Sequence, residues 1–247
     1  MRIPAGYTAL AIGTRRALVR DDLVPALGAW LLRAPLAAPA DGTPLDGGRG
    51  AAFRFPLAGG GDAVVRFGRR GGIVARLVRT WYAGLRPRPW RELAVTLAAR
   101  RRDAPVPDVL AACVHGWGVY RSAVVTAEIP GVTTAIAALT GAADATARRE
   151  IARTAGAAVA RLHAAGIAHA DLNLTNVVVG GGAATVLDLD RARLVSGRLS
   201  AFARRRSLRR LARSARKLDP AGTVVDADVV RAFRDGYADE HGRPCAS

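Results

Sequence analysis

The hydrophobic and polar positions follow two different patterns on either side of residue 130. Before it, short apolar runs separated by Gly, Pro and Asp clusters predict β-strands. The clearest predicted strands are 51–57, 63–67, 109–114 and 119–127. After it, longer segments with apolar residues three and four positions apart predict α-helices. The clearest predicted helices in this half are 143–165, 199–217 and 226–240.

The change of pattern predicts two lobes. Pro130-Gly131 lies where the strands give way to helices and is a natural hinge. We therefore predict an α+β protein with a strand-rich N-lobe over 1–130 and a helical C-lobe over 131–247. Further helices are predicted in the N-lobe at 23–32, 73–81 and 90–102, while the rest of residues 1–40 carries weak signals.

One segment in the second half contains the residues with the clearest catalytic pattern. It begins His169-Ala170-Asp171-Leu172, reaches Asn176 five residues after the aspartate, and is followed by an apolar hairpin that ends at Asp188. Phosphoryl transfer requires such a set: a carboxylate beside the attacking hydroxyl, then an amide and a second carboxylate that hold Mg²⁺ on the phosphates of ATP. The sequence predicts Asp171 as the catalytic residue and Asn176 and Asp188 as the metal ligands. We expect His169 to brace the loop by hydrogen bonds.

The first half supplies candidates for the nucleotide side of such a site. Gly48 and Gly50 belong to a glycine cluster whose backbone amides could cover phosphates. Arg66 stands on the second predicted strand, where a protein kinase has its ion-pairing lysine, and Glu92 on the following helix is the obvious partner. The backbone around Glu128 would bind adenine. Arg69 or Arg70 could replace Arg66 at the phosphates.

The charge of the chain points to an anionic partner. The formal net charge is +17, and only one of its 37 basic residues is a lysine. No acidic residue lies between Arg191 and Leu218, whereas basic residues crowd 204–217. Such stretches suit a phosphorylated substrate, anionic lipid or nucleic acid. Leu199, Phe202 and Leu211 lie among these arginines in a pattern that fits either an anionic leaflet or an ordinary solvated helix.

The cysteines and the apolar stretches indicate the cellular compartment. Cys113 and Cys245 are too few and too far apart for a disulfide framework or a metal motif, which fits a reducing cytoplasm. Cys113 lies in an apolar stretch and is expected in the core. We expect no transmembrane helix and no secretory signal, because charged residues interrupt every apolar stretch.

Several segments together resemble the 3-deoxy-D-manno-octulosonic acid (Kdo) kinases of the lipopolysaccharide-core kinase group. The similar segments are GRGAAFRF (48–55), VVRFGRRGGIVARL (64–77), RPWREL (88–93), PVPDVLAA (105–112), HADLNLTNVVV (169–179) and VLDLDRAR (186–193). The resemblance implies a protein-kinase-like fold, with Asp171 as the catalytic residue. It implies ATP- and Mg²⁺-dependent phosphorylation of the Kdo 4-hydroxyl on a lipid A precursor. It also implies a peripheral protein on the cytoplasmic face of the inner membrane of a Gram-negative bacterium. Two departures are Phe67-Gly68, where a His-Tyr-like pair is expected, and the arginine-rich tail.

Two other functions compete with this one. A small-molecule kinase of the aminoglycoside-phosphotransferase type would use Asp171 in the same role, but its acceptor would be cationic and would suit a basic lobe poorly. A nucleic-acid-binding protein or pseudokinase would use the arginines to bind phosphates. Against this, few aromatic residues are available for stacking, and all three polar residues of a phosphoryl-transfer site are present.

Overall fold

The computed structural model describes residues 3–45, 52–68, 82–84 and 87–241. The chain divides into two compact units. The first unit contains Met1–Ala94 and Asp108–Glu128, and the second contains Val95–Pro107 and Ile129–Ser247. The boundary thus falls inside the helix Arg88–Arg100, so a single helix contributes residues to both units.

The first unit is built on one antiparallel sheet. Its strands within the described residues are β1 (Tyr7–Ile12), β2 (Arg15–Arg20), β3 (Thr43–Pro44), β4 (Ala52–Pro56), β5 (Asp62–Phe67), β6 (Tyr82–Ala83), β7 (Val109–Trp117) and β8 (Val119–Ala127). Their order in the sheet is β1-β2-β7-β8-β5-β4-β3, and β6 also pairs with β8. The unit also has two α-helices within the described residues: α1 (Val24–Leu31) lies between β2 and β3 along the chain, and α2 (Arg88–Arg100) lies between β6 and β7. The four strands predicted most clearly are all present, and the predicted helix 73–81 lies outside the described residues.

The core of the first unit lies between the central strands and α1. Leu27 and Leu31 of α1 are buried together with Leu110, Val125 and Cys113 of the sheet. Cys113 is therefore a core residue, as predicted, and its burial raises the pKa of its thiol to about 12. A thiol with this pKa remains protonated at neutral pH and is a poor nucleophile.

The hairpin of β1 and β2 was not predicted. Ala17, Leu18 and Val19 are consecutive residues of β2 and all three are buried, so both faces of this strand are covered. A strand buried on both faces shows no alternation of apolar and polar residues, and alternation is the signal by which strands are recognised. The turn is marked only by Gly13, which has a φ of +58°.

The second unit is mainly helical. Its helices within the described residues are α3 (Ala135–Thr140), α4 (Ala145–Ala164), α5 (Ala201–Leu218) and α6 (Ala227–His241). Its short strands are β9 (Thr133–Thr134), β10 (Ile167–Ala168), β11 (Val177–Gly180), β12 (Ala183–Val186) and β13 (Arg193–Leu194). Strands β12, β11 and β9 form one antiparallel sheet, and β10 pairs with β13. The three long helices agree with the sequence prediction to within two residues at each end. None of the described helices is long and apolar enough to cross a bilayer.

Helices α4 and α6 cross at unusually close range because each has a glycine at the contact. A Cβ atom added to Gly156 of α4 would collide with the backbone carbonyl of Phe233. A Cβ atom added to Gly236 of α6 would collide with the backbone carbonyl of Arg153. Both neighbours are main-chain atoms of regular helices, so they cannot move aside without separating the two helices.

We expect Gly236→Ala to destabilise the protein by about 1–3 kcal/mol, the usual cost of overpacking a tight contact. The exposed Ala238 of the same helix provides the control. Ala238→Gly should cost only about 0.5–1 kcal/mol, because it changes helix propensity alone. Chemical denaturation of both variants measures the two effects. A Gly236→Ala variant as stable as the wild type, or more stable, would mean that the helices are not in such close contact.

Candidate active site

The loop that carries Asp171 runs from β10 to β11 and is closed by the β11–β12 hairpin. In this hairpin Val177 pairs with Val186. The same ladder continues one step further, because the amide of Leu187 donates to the carbonyl of Asn176 at 2.7 Å. The next residue along is Asp188. The hairpin register therefore places the backbone of Asn176 beside the segment that carries Asp188.

His169 joins the same two segments through its ring. Its Nδ1 accepts a hydrogen bond from the amide of Asp171 at 3.1 Å, and its Nε2 lies 3.0 Å from the carbonyl oxygen of Leu187. A backbone amide can only donate and a carbonyl can only accept, so these partners require the neutral ring with its proton on Nε2. His169 is 3% exposed. The predicted bracing role is confirmed by these contacts, which link Asp171 to the residue before Asp188.

Two asparagines fold the loop into a tight turn. Asn173 Oδ1 accepts hydrogen bonds from the amide of Thr175 at 2.9 Å, the hydroxyl of Thr175 at 2.6 Å and the amide of Asn176 at 3.0 Å. The side-chain amides of Asn173 and Asn176 both donate to the carbonyl oxygen of Asp171, each at 3.0 Å. Since Nδ2 of Asn176 is used in this way, Oδ1 is the atom that it can offer to a cation. Asn173 was not among the predicted site residues, although Asn in such turns is a familiar signal.

Asp188 has a left-handed backbone conformation, with a φ of +61°. A non-glycine residue adopts this region at a cost, and Asp is among the few that tolerate it. The conformation is set by the contacts on either side of the residue, where Leu187 is hydrogen-bonded to Asn176 and Leu189 is buried in the core. Backbone strain of this kind is concentrated at functional sites.

The donor atoms of this site fit Mg²⁺. Mg²⁺ binds oxygen ligands, and in phosphoryl-transfer sites it takes one or two from the protein and the rest from phosphate and water. Asn176 Oδ1 and the carboxylate of Asp188 are oxygen atoms of this kind, and their role as Mg²⁺ ligands stays a prediction. Among the described residues no group of three or more His, Cys, Asp or Glu side chains is placed to hold a metal ion.

Helix α5 supports the loop. The guanidinium of Arg210 donates to the carbonyl oxygen of Ala170, and the hydroxyl of Ser214 accepts from the amide of Leu174 at 3.3 Å. Leu211 of the same helix lies in one buried cluster with Leu172. Neither Arg210 nor Ser214 was predicted as a site residue, since the sequence indicated only that the basic residues of 204–217 suit an anionic partner.

A buried histidine holds α5 against the other two long helices. His163 of α4 has its Nδ1 2.9 Å from the hydroxyl of Tyr237 on α6 and its Nε2 3.0 Å from the hydroxyl of Ser207 on α5. His163 is 1% exposed. Burial raises the pKa of Tyr237, so its hydroxyl keeps its proton in the neutral range. These contacts give α5 a fixed position from which to hold the loop.

In the first unit the predicted ion pair is present. The guanidinium of Arg66 on β5 is bonded to the carboxylate of Glu92 on α2. Glu92 is 7% exposed, whereas about a third of the Arg66 side chain remains accessible. The pairing is confirmed by these contacts; a contact between Arg66 and phosphate stays a prediction.

The remaining predicted residues of the nucleotide side fall into two groups. Glu128 donates its amide to the carbonyl of Asp62 at 2.9 Å, and its carboxylate lies 3.1 Å from Arg54. Its carbonyl oxygen is the atom that could accept a hydrogen bond from adenine. Gly48 and Gly50, with Arg69 and Arg70, lie outside the described residues.

Comparison with known sequences identifies relatives over most of the chain. Residues 46–237 match the family described as "Lipopolysaccharide kinase (Kdo/WaaP) family". A 3-deoxy-D-manno-octulosonic acid kinase of Xylella fastidiosa (strain M12) is 37% identical over 179 residues, which cover 70% of this chain and 69% of the relative. A protein of the same name from Stenotrophomonas maltophilia (strain R551-3) is 36% identical over 197 residues, 76% of each chain.

Comparison with solved structures gives the fold. A structure of WaaP in complex with acyl carrier protein is similar with a TM-score of 0.58 over 93% of this chain and 90% of that chain, at 16% identity. The amicoumacin kinase hAmiN, in complex with AMP-PNP, Ca²⁺ and Ami, has a TM-score of 0.58 over 83% of this chain and 74% of that chain, at 11% identity. These similarities confirm the predicted protein-kinase-like α+β fold. Together with the sequence relatives, they show that the chain is a kinase that belongs to the lipopolysaccharide kinase (Kdo/WaaP) family.

Proposed function

We propose that this kinase transfers the γ-phosphate of ATP to the 4-hydroxyl of a Kdo sugar on a lipid A precursor, in the assembly of the lipopolysaccharide core. The observation that carries the proposal is the network of backbone contacts that brings the segments of Asp171, Asn176 and Asp188 together. The choice of acceptor is supported by the relatives, which are named for phosphorylation of this sugar.

Asp171 is proposed as the catalytic residue. Its carboxylate orients the acceptor hydroxyl and takes its proton as the oxygen attacks the γ-phosphorus, while the bond to the bridging oxygen breaks and ADP leaves. Asp171 is exposed, as a group that must reach an incoming substrate needs to be. Asn176 and Asp188 would hold Mg²⁺, which when bound neutralises charge on the phosphate oxygens.

The nucleotide side is proposed from the first unit. Arg66, paired with the buried Glu92, would contact the phosphates of ATP. Arginine can grip phosphate with two parallel hydrogen bonds where lysine offers a point charge. The backbone of Gly48 and Gly50 would cover the phosphates, and the carbonyl of Glu128 would accept from adenine.

A soluble cationic acceptor, as in an aminoglycoside-phosphotransferase, is the second candidate. The shared fold with hAmiN admits it, since the same fold serves many acceptors. The charge of the chain opposes it, because a protein with a net charge of +17 repels a polycationic substrate. A Kdo-bearing lipid A precursor carries phosphates and a carboxylate, and therefore has the complementary charge.

We also propose that α5 docks this kinase on the cytoplasmic face of the inner membrane, as a peripheral protein. Its exposed arginines include Arg205, Arg206 and Arg209, and Phe202 at its start is 75% exposed. Basic residues near an anionic leaflet contribute about 1 kcal/mol each. Leu199 and Leu211, in contrast, are buried within the protein and so belong to its core.

The acceptor is tested with labelled ATP and three candidate acceptors: a Kdo-lipid A precursor, an aminoglycoside and RNA. We expect the label to enter only the Kdo lipid. Asp171→Asn should reduce this transfer by about 10²–10⁴-fold, the usual contribution of such a group, with ATP binding preserved. Asp228→Asn, an exposed aspartate on α6, is the matched control and should keep full activity. Label in the aminoglycoside but not in the lipid would refute the proposed acceptor.

Asp188→Asn tests the metal site. Asparagine tolerates the left-handed backbone at this position, so the variant removes the charge without adding strain. We expect the Mg²⁺ concentration for half-maximal activity to rise by about tenfold or more, and MgATP to bind more weakly. A Mg²⁺ titration with the same midpoint as the wild type would place the metal on other residues.

Combined replacement of Arg205, Arg206 and Arg209 by Gln tests the docking face. Arg210 is kept, because it contacts the catalytic loop. We expect weaker binding to anionic vesicles and a higher apparent KM for the lipid acceptor, with kcat nearly unchanged. The difference between variant and wild type should shrink as salt rises, since exposed charges are screened beyond about 8–10 Å. Equal vesicle binding by both proteins at low salt would refute the docking role.

A further inference from the structure

Helix α5 has a second stripe of residues that faces the catalytic loop. Ser207, Arg210, Leu211 and Ser214 follow one another at spacings of three, one and three residues, so they share one side of the helix. Ser207 and Leu211 are buried, and Arg210 and Ser214 are half-buried. This stripe is separate from the exposed arginines that we assign to docking.

Two members of the stripe hold the loop at points on either side of Asp171. Arg210 donates to the carbonyl of Ala170, the residue before Asp171, and Ser214 accepts from the amide of Leu174, three residues after it. Both contacts are made to main-chain atoms. They therefore fix the path of the backbone, and with it the position of the Cα atom of Asp171.

The contact of Arg210 is the stronger of the two. A guanidinium is charged at every physiological pH, and hydrogen bonds with a charged donor are stronger than those between neutral groups. The bonded carbonyl belongs to the peptide unit that joins Ala170 to Asp171. Its orientation sets the direction of the Asp171 amide, which is the group bonded to His169. Arg210 and His169 thus restrain the same peptide unit at its carbonyl and at its amide.

We infer that Arg210 and Ser214 are positioning residues that hold Asp171 in its catalytic geometry. The inference rests on the proposed role of Asp171 as the catalytic residue. Helix α5 would then have two roles. Its outer face would bind anionic surfaces, and its inner face would order the loop that carries Asp171. Loss of a positioning contact lowers kcat, because a displacement of about 1 Å can cost about 10²-fold in rate.

Arg210→Met removes the charged donor and keeps much of the apolar stem. We expect kcat to fall by about 10–100-fold, with the KM for ATP within about twofold of the wild type. Arg210→Lys keeps a charged donor and should recover part of the loss. Ser214→Ala should give a smaller decrease, because it removes a neutral hydrogen bond. Steady-state kinetics with the Kdo-lipid A precursor measure all three variants.

Arg102→Met is the matched control. Arg102 also binds backbone carbonyls through its guanidinium, those of Ala165 at 2.8 Å and Val195 at 3.0 Å, but neither lies on the catalytic loop. We expect this variant to melt at a lower temperature and to keep its kcat at temperatures where it is folded. Equal losses of kcat in Arg102→Met and Arg210→Met would reduce Arg210 to a structural role and overturn the inference.

Hydrogen–deuterium exchange provides a readout that needs no acceptor. In folded Arg210→Met and Ser214→Ala, the amides of residues 170–176 should exchange faster than in the wild type, while exchange in α4 stays the same. If Arg210→Met does not fold, Arg210→Lys and Ser214→Ala carry the test. Unchanged exchange in this loop in folded Arg210→Met, or in Ser214→Ala where Arg210→Met does not fold, overturns the inference even if the lipid proves to be the wrong acceptor. Faster exchange without transfer to the lipid would instead refute only the proposed acceptor.

Discussion

The site depends on the pair of hydrogen bonds made by the ring of His169. They join the amide of Asp171 to the carbonyl of Leu187, so one buried side chain connects the loop that carries Asp171 to the segment that carries Asp188. The ring can do this in only one protonation state, since a charged ring would turn a second N–H towards the Asp171 amide. The rest of the loop is then arranged by local bonds of Asn173 and Asn176 to backbone atoms.

Much of this site could be predicted from sequence, because its elements are close together in the chain. Asp171, Asn176 and Asp188 lie within one loop and one hairpin, whose two short apolar strands are joined by a glycine-rich turn. The pair of Arg66 and Glu92 was also predictable, since Glu92 is the only acid between Arg66 and Arg102. The buried carboxylate of Glu92 requires a partner, and Arg66 was predicted for it from its place on the second strand.

The features that could not be predicted are of two kinds. Some are contacts between residues far apart in the sequence, and others are strands whose burial on both faces removes the alternation of apolar and polar residues. Arg210 binds Ala170 across forty residues, and nothing in the spacing of the arginines distinguishes it from its exposed neighbours. Ser207 and Ser214 do not by themselves indicate that this side of α5 faces inward, because that is known only from the contact of Ser214 with the loop. The strands β1 and β2 were missed because β2 is buried on both faces, which removes the alternation expected of a surface strand.

A high positive charge in the unit that carries Asp171 could interfere with the role proposed for this residue. Arginines close to Asp171 would stabilise its carboxylate as an anion and compete with the acceptor hydroxyl for hydrogen bonds. The exposed arginines of α5 are on its outer face, whereas Arg210 directs its guanidinium to a carbonyl oxygen and Arg204 binds the carbonyl of Leu199 at 2.6 Å. Backbone carbonyls thus engage the arginines that point inward. The exposed arginines of the outer face are therefore separate from Arg204 and Arg210, whose guanidinium groups are held by backbone carbonyls. If the outer arginines attract an anionic lipid, as we propose, they can do so without placing a guanidinium on the carboxylate of Asp171.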